Sequence, residues 1–318
     1  MTPGSVHQAR EFAHEALLYA GEDEFVAAAG AFIREGVEAG EPILVVVASG
    51  KINRLREELD GDAASVLFAD MAEVGANPAR IIPAWEEFVE EHLRDDRPVR
   101  GIGEPISADR TAVELVECQR HEALLNLAFA DAPAWRLLCP YDTSTLEDSV
   151  IDEALRSHPI VVHGGERTAS DRYRGLEEII SPFDAPLPDP PPTVEELPFD
   201  GDLLADGRQL VARRAASAGI PAPRTNDLVL AVNEILTNSV RHGGGGGVLR
   251  IWQDDGSFVC EVEDRGRIQD PLVDRRRPDP EQLGGRGLWM TNQLCDLVQV
   301  RSPETGNIVR LHMRRTAA

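Results

Sequence analysis

Apolar positions along the first half of the chain switch repeatedly between helical spacing and unbroken short runs. Residues 24–39 set Phe25, Ala28, Ala29, Phe32, Ile33 and Val37 on one helical face. Ile43 to Val47 form a continuous apolar run, the pattern of a strand buried on both faces. The same reading predicts a helix over 51–59, a strand over 65–68 and a long helix over 78–93. A strand over 99–102, a helix over 111–130, a strand over 135–139 and a helix over 146–157 follow. This βαβ succession predicts a three-layer α/β domain with a mostly parallel sheet. Beyond residue 228 the pattern changes. A long amphipathic helix leads through five glycines, Gly243 to Gly247, into two period-2 segments, 248–253 and 258–263. Asp254-Asp255-Gly256 joins them, so they read as a β-hairpin. A helix carrying Leu288, Met290, Leu294 and Leu297, then strands at 298–300 and 308–311, complete the second domain.

Between these patterns lie Pro182, Pro186, Pro188, Pro190, Pro191, Pro192 and Pro198, mixed with acidic residues. Such a stretch favours extended polyproline geometry. It divides the chain into a first domain at 1–180, a semi-rigid spacer at 181–198 and a second domain at 199–318. Charge follows the same division. Residues 1–194 hold 16 basic and 37 acidic side chains, whereas 195–318 hold 16 and 18. A front half this acidic repels a phosphate backbone, which argues against direct DNA binding. No apolar run is long enough to span a membrane, and no basic-then-apolar signal pattern opens the chain, so a cytoplasmic location is expected. Cys118, Cys139, Cys260 and Cys295 sit inside apolar periodic segments, as reduced core thiols do.

The richest stretch chemically is Asn233 to Gly243. On a helix, Glu234, Asn238, Arg241 and His242 fall within an arc of about 100°, opposite Leu228, Val232, Ile235, Leu236 and Val240. Alone, such a face is what any solvated helix carries. Its company gives it meaning: Asp264-Arg265-Gly266 ends the second hairpin strand, and Leu283-Gly284-Gly285-Arg286-Gly287-Leu288-Trp289 opens the next helix. In this order the pieces resemble the Bergerat ATP-binding fold of gyrase-type ATPases, histidine kinases and anti-sigma serine kinases, an α/β two-layer sandwich. The resemblance implies ATP and Mg²⁺ as cofactors, with Glu234 as the catalytic base and Asn238 as the metal ligand. Its nucleotide-binding set would be Asn238, Arg241, His242, Asp264, Gly266, Gly285, Arg286, Gly287 and Leu288. Each role has a physical basis. A carboxylate accepts a proton from an attacking hydroxyl, and a carboxamide oxygen suits Mg²⁺. A strand-end Asp can accept from an adenine amino group, and a glycine-opened helix start presents bare N–H groups to phosphates. Arg275, Arg276 and Arg277 read first as a solvated charge run, with one of them a candidate phosphate contact. Two departures stand out: Ile268 replaces the second glycine of the Asp264 box, and the lid from Gln269 to Gln282 is short and holds three prolines.

In the front half, Ser49-Gly50-Lys51 after a buried strand suggests a phosphate loop. That loop needs a glycine where Val45 stands, and Ile52 follows Lys51 in place of Ser or Thr, so the reading fails. The segments His14-Glu15-Ala16-Leu17-Leu18-Tyr19, Asn77-Pro78-Ala79-Arg80, Glu117-Cys118-Gln119-Arg120-His121-Glu122 and Cys139-Pro140-Tyr141-Asp142 together resemble the MEDS sensory domain over residues 7–163. That resemblance implies a RecA-like core without its phosphate loop. Cys118 and His121 share a helix face, and His14, Cys139, His158 and His163 are candidates to converge. Metal or haem ligation, a small-molecule signal pocket and a protein-interaction role stay open. Histidine autophosphorylation fits poorly, because a proline-rich spacer stands where a dimerising phosphoacceptor helix belongs. A gyrase-type ATPase would carry a transducer domain after the module. The combination instead resembles the RsbA family of anti-sigma regulators, with an ATPase of the RsbW/SpoIIAB type. It implies a sigma factor or a STAS-type anti-sigma-factor antagonist as partner, with phosphorylation of a Ser or Thr on the antagonist, and is compatible with a homodimer. The alternative is a non-catalytic partner switch whose ATP site is structural or vestigial.

Overall fold

The computed structural model describes residues 12–92, 98–132, 134–254, 256–278 and 285–315. The chain divides into two compact units, 1–180 and 181–318. No helix among the described residues is long and apolar enough to cross a membrane.

Unit 1 is built on a seven-stranded sheet of β1 (Ala13–Tyr19), β2 (Ile43–Val47), β3 (Val66–Asp70), β4 (Val99–Gly103), β5 (Trp135–Asp142), β6 (Ile160–His163) and β7 (Glu166–Ala169). Their order is β3-β2-β4-β5-β1-β6-β7, parallel except where β7 runs back along β6. The crossovers are α1 (Glu22–Ala39), α2 (Ser49–Leu59), α3 (Met71–Val74), α4 (Ile81–His92), α5 (Ala112–Ala128) and α6 (Asp148–Ser157). Alternation along β4 assigns the two faces. Ile102 joins Phe25, Ile33, Ile52 and Leu55 of α1 and α2 in one core. Gly101 and Gly103 face the other way, where a Cβ would lie 2.8 and 3.0 Å from the Trp85 ring of α4. Only a missing side chain lets that indole lie against the sheet. The expected helix over 78–93 opens as a 3₁₀ turn at Pro78–Arg80, capped by the Asn77 carboxamide, before α4 begins. Lys51 Nζ donates to both Glu104 oxygens, at 2.6 and 2.7 Å, so this lysine is committed to a carboxylate.

Unit 2 is an antiparallel sheet of β8 (Glu195–Asp200), β9 (Gly246–Asp254), β10 (Ser257–Asp264), β11 (Leu297–Arg301) and β12 (Asn307–Arg314), in the order β11-β12-β10-β9-β8. With it come α7 (Leu204–Ser217), α8 (Ala222–His242) and α9 (Arg286–Leu294). Leu228, Val232, Ile235 and Leu236 of α8 meet Leu249, Ile251, Cys260, Val262 and Leu311 of the sheet in one core, the two-layer arrangement the period change predicts. The opposite sheet face carries a charge row: Glu196, Arg250, Glu261, Arg310 and Gln299 stand side by side across all five strands. Glu261 receives Arg250 at 3.1 Å and Arg310 at 2.6 Å, and the spare donor of Arg310 reaches the Pro188 carbonyl at 2.7 Å.

That contact corrects the expected spacer. Residues 195–198 are the start of edge strand β8, and Pro188 is tied to the sheet, so 181–198 is not spacer throughout. Proline is tolerated in β8 because the strand lies at the sheet edge.

Candidate functional site

Helix α8 turns its apolar side into the core and leaves Glu234 and Asn238 half-buried on the other side. Above them sits the first turn of α9. Its N-cap, Gly285, has φ 78°, a left-handed conformation that glycine alone adopts without strain. Two residues on, a Cβ built at Gly287 would lie 3.0 Å from Asn238 Nδ2 and 3.2 Å from Glu234 Oε2. The missing side chain therefore lets a positive helix end lie directly over a carboxylate and a carboxamide. Neither Glu234 nor Asn238 spends its polar atoms on another side chain among the described residues.

The third wall is the end of β10. Asp264 Oδ2 accepts from Ser239 Oγ of α8 at 2.6 Å, and Oδ1 accepts from Gly266 N at 2.7 Å and Asn307 Nδ2 at 3.1 Å. Gly243 abuts the same carboxyl, with a built Cβ only 2.4 Å from Asp264 Cγ. An ionised carboxylate offers about four lone-pair positions, so three donors fix its plane and leave room for one more. The departure at Ile268 has a local explanation. Its N–H donates to Ser302 Oγ at 2.9 Å and Asn307 Oδ1 at 3.0 Å, and its side chain packs on the core. Asp60 is the non-glycine residue with positive φ among the described residues, so the backbone at 268 does not demand glycine.

Comparison with known proteins identifies both units. Residues 13–159 match the family described as MEthanogen/methylotroph, DcmR Sensory domain (MEDS), and residues 197–313 match the histidine kinase-like ATPase domain. The chain is a MEDS domain followed by a histidine kinase-like ATPase domain. No curated protein matches it. A solved structure of the RsbU and RsbW domains of Rv1364c from Mycobacterium tuberculosis is similar at 20% identity. That likeness covers 40% of this chain and 35% of the other, about a third of its length, at a TM-score of 0.30. It is too slight to carry an argument. The ATPase domain is of an ATP-binding kind, consistent with the nucleotide expected from the motifs.

Other expected residues of the ATPase domain fare differently. Arg241 and His242 are exposed in the last turn of α8, where cations complement the helix dipole. Neither is hydrogen-bonded to Glu234, Asn238 or Asp264. Arg286 is exposed in the first turn of α9. The Leu288 side chain packs on the core, so its contribution to a ligand is its backbone alone. Leu283 and Gly284 of the glycine-rich motif lie outside the described residues. The arginine triplet needs correction, because Arg275 is fully buried beside Asp274, 3.3 Å from its carboxylate, while Arg276 and Arg277 are exposed. Asp274 in turn accepts from Asn292 of α9, which stitches the lid to that helix. Ser239, Asn292, Ser302 and Asn307 were not singled out by the motifs. Ser239 alone had a signal, being buried on the core side of the helix that bears Asn238.

Proposed function

We propose that the ATPase domain binds Mg²⁺-ATP and phosphorylates a Ser or Thr of an anti-sigma-factor antagonist. Phosphorylation would set a partner switch that controls a sigma factor, with the MEDS domain receiving the signal. The supporting observation is the uncommitted pair Glu234 and Asn238 beneath Gly287. In this reading Asp264 accepts from the adenine amino group with its remaining lone pair. The Asn238 oxygen ligates Mg²⁺, and the amides at 286–288 face the phosphates, as helix starts do. Mg²⁺-ATP, when bound, supplies an electrophilic γ-phosphorus with its charge partly neutralised. Glu234 takes the proton of the incoming hydroxyl as the new O–P bond forms and the bond to the β-phosphate oxygen breaks, releasing ADP. Arg241 and Arg286 supply cationic charge at the rim, and His242 a ring hydrogen-bonding group.

A sensor histidine kinase fits less well. The two His-Glu pairs of the MEDS domain place His14 at 0% and His121 at 1% exposure, beyond reach of a phosphate donor. The non-catalytic switch, favoured by the altered glycine box at Ile268 and the glycine missing from the lid, is the second reading; against it, the Ile268 N–H is satisfied by Ser302 and Asn307, so the departure leaves the local fold intact. The test is phosphorylation of the antagonist by the full chain, read by mass spectrometry. Glu234→Ala should abolish Ser/Thr phosphate while ATP binding by calorimetry persists. Partner binding with no phosphate in the wild type would hand the case to the non-catalytic switch. Acid-labile phosphate on His14 or His121 would restore the histidine kinase.

A further inference from the structure

Four side chains in the middle of the MEDS domain play no part in the reading above. His14 stands on β1, Cys139 on the neighbouring β5, Glu122 on α5, and His158 directly after α6. Exposure is 0 or 1% at all four, and one ligand-type atom from each lies within 4.8 Å of the other three.

Their surroundings fix where the imidazole protons sit. Asn126 Nδ2 points at three backbone carbonyls, of Glu122, Ala123 and Ser157, so its Oδ1 is the atom facing His14 Nδ1 at 3.3 Å. His158 Nδ1 lies 2.9 Å from the Ala154 carbonyl, which can only accept, and 3.1 Å from Ser157 Oγ. Both rings therefore carry a proton on Nδ1, and a neutral imidazole carries only one. On neutral rings each Nε2 holds a lone pair, and each lies 3.2 Å from the same oxygen, Glu122 Oε2. The Cys139 thiol, 3.3 Å from His14 Nε2, has one hydrogen to give. Three acceptors meeting one weak donor is an arrangement that needs a cation. Accordingly, His158 Nε2 and Glu122 Oε1 are left without a hydrogen bond among the described residues.

We propose that His14, Glu122, Cys139 and His158 form a closed binding site for a zinc-class divalent metal ion. Ligand bonds of about 2.0–2.3 Å set tetrahedral donor atoms roughly 3.3–3.7 Å apart; His14–Glu122, His158–Glu122 and His14–Cys139 stand at 3.2–3.3 Å, and the whole set lies within 4.8 Å, a small adjustment from that geometry. A thiolate and a carboxylate together cancel the ion's two charges, which permits burial. Asn126 and the Ala154 carbonyl hold the outer ring nitrogens, as partners of metal-bound histidines do. Four protein ligands leave no open position, so the ion is structural and pins β1, β5, α5 and the entry to β6. Of the candidates read from the sequence, His163 is exposed and Cys118 donates instead to the Pro105 carbonyl at 3.4 Å.

The full-length chain, produced with zinc in the medium, should carry stoichiometric zinc by elemental analysis. After chelation and reloading with Co²⁺ it should show intense tetrahedral visible bands and a near-ultraviolet thiolate-to-cobalt band. Cys139→Ala should lose the near-ultraviolet band, and His158→Gln should lose most of the metal, with folding checked by circular dichroism. A folded wild type that takes up neither zinc nor tetrahedral cobalt overturns the site and leaves a proton on His158 as the cation. Metal content and spectrum unchanged in folded Cys139→Ala also overturn it. Should either variant fail to fold, the wild-type cobalt spectrum decides alone.

Discussion

Ser239 Oγ donates to Asp264 Oδ2 at 2.6 Å, joining the last turn of the long ATPase helix to the end of the central hairpin strand. The hydroxyl also lies 3.1 Å from the Ile235 carbonyl, but it has one proton, and the shorter, charged acceptor takes it. This bond sets the carboxylate plane that an adenine amino group would meet. Ser239→Ala removes a hydrogen bond to a charged group, an effect of about 1.5–3 kcal/mol. ATP affinity by calorimetry should fall by roughly ten- to a hundredfold if the loss appears fully in binding. Asp264→Asn should weaken binding at least as much, because an amide cannot accept at both positions where Ser239 and Gly266 donate. Unchanged affinity in both variants would exclude Asp264 from nucleotide recognition.

Gly287→Ala separates binding from folding. Alanine is the better helix former by about 1 kcal/mol, which offsets the cost of moving the Asn238 and Glu234 side-chain ends aside, so the melting temperature should change little. The added methyl, however, would lie 3.0 Å from Asn238 Nδ2 and 3.2 Å from Glu234 Oε2. It would occupy the space between the α9 amides and the expected metal ligand. Mg²⁺-ATP affinity should drop while the melting temperature does not. A variant that binds normally would mean that phosphates do not pass between α8 and α9.

What the sequence made legible, and what it hid, follows from range. Period alone located α1, β2, β4 and the β9–β10 hairpin, because each buries a regular face or run. It did not flag β1 as a strand, since His14 and Glu15 interrupt its apolar pattern and are buried by partners more than a hundred residues away. β8 hid in proline-rich composition that also suits a spacer. The helix box, Asp264 and the glycine-opened helix are local patterns and were readable. Asn307 was not, because it reaches Asp264 from 43 residues downstream. Arg275 was misread for a related reason: a charge run does not say which member turns inward.

Two buried thiols predict an alkaline limit to stability. Burial pushes Cys118 up from 9.0 to about 12, and Cys260 is also raised well above its ordinary value. The unfolded chain then releases thiol protons that the folded chain keeps, so fewer protons are bound on unfolding and stability falls as pH rises. For Cys118 the loss should begin near pH 9 and continue to about 12, at roughly 1.4 kcal/mol per pH unit. Urea denaturation from pH 8 to 11 measures it. Iodoacetamide should modify neither thiol at pH 8 until the chain unfolds, and rapid native-state alkylation would contradict their burial.

The charge row behind the ATPase sheet provides the sharpest stability test. Glu261 is 2% exposed and serves two arginines, Arg250 at 3.1 Å and Arg310 at 2.6 Å. Arg310 is itself buried, stacks over the Trp252 ring at 5.0 Å and carries the Pro188 carbonyl on its spare donor. Glu261→Ala leaves that guanidinium in a place prepared for a pair, and breaking a buried pair from one side costs about 3–5 kcal/mol. Arg250 retains Glu196 and Glu263, so the damage should fall on Arg310 and on the segment it anchors. Urea unfolding should show the lost stability, and limited proteolysis should show faster cutting around Pro188 in the variant than in the wild type. If Glu261→Ala unfolds at the wild-type urea midpoint, the row is surface decoration and Pro188 is not held through Arg310. A matched Glu261→Met, Arg310→Met pair should recover part of the stability while leaving the Pro188 carbonyl without its donor. Fast cleavage should then persist even as the midpoint returns, which separates the anchoring of the segment from the burial of the charge.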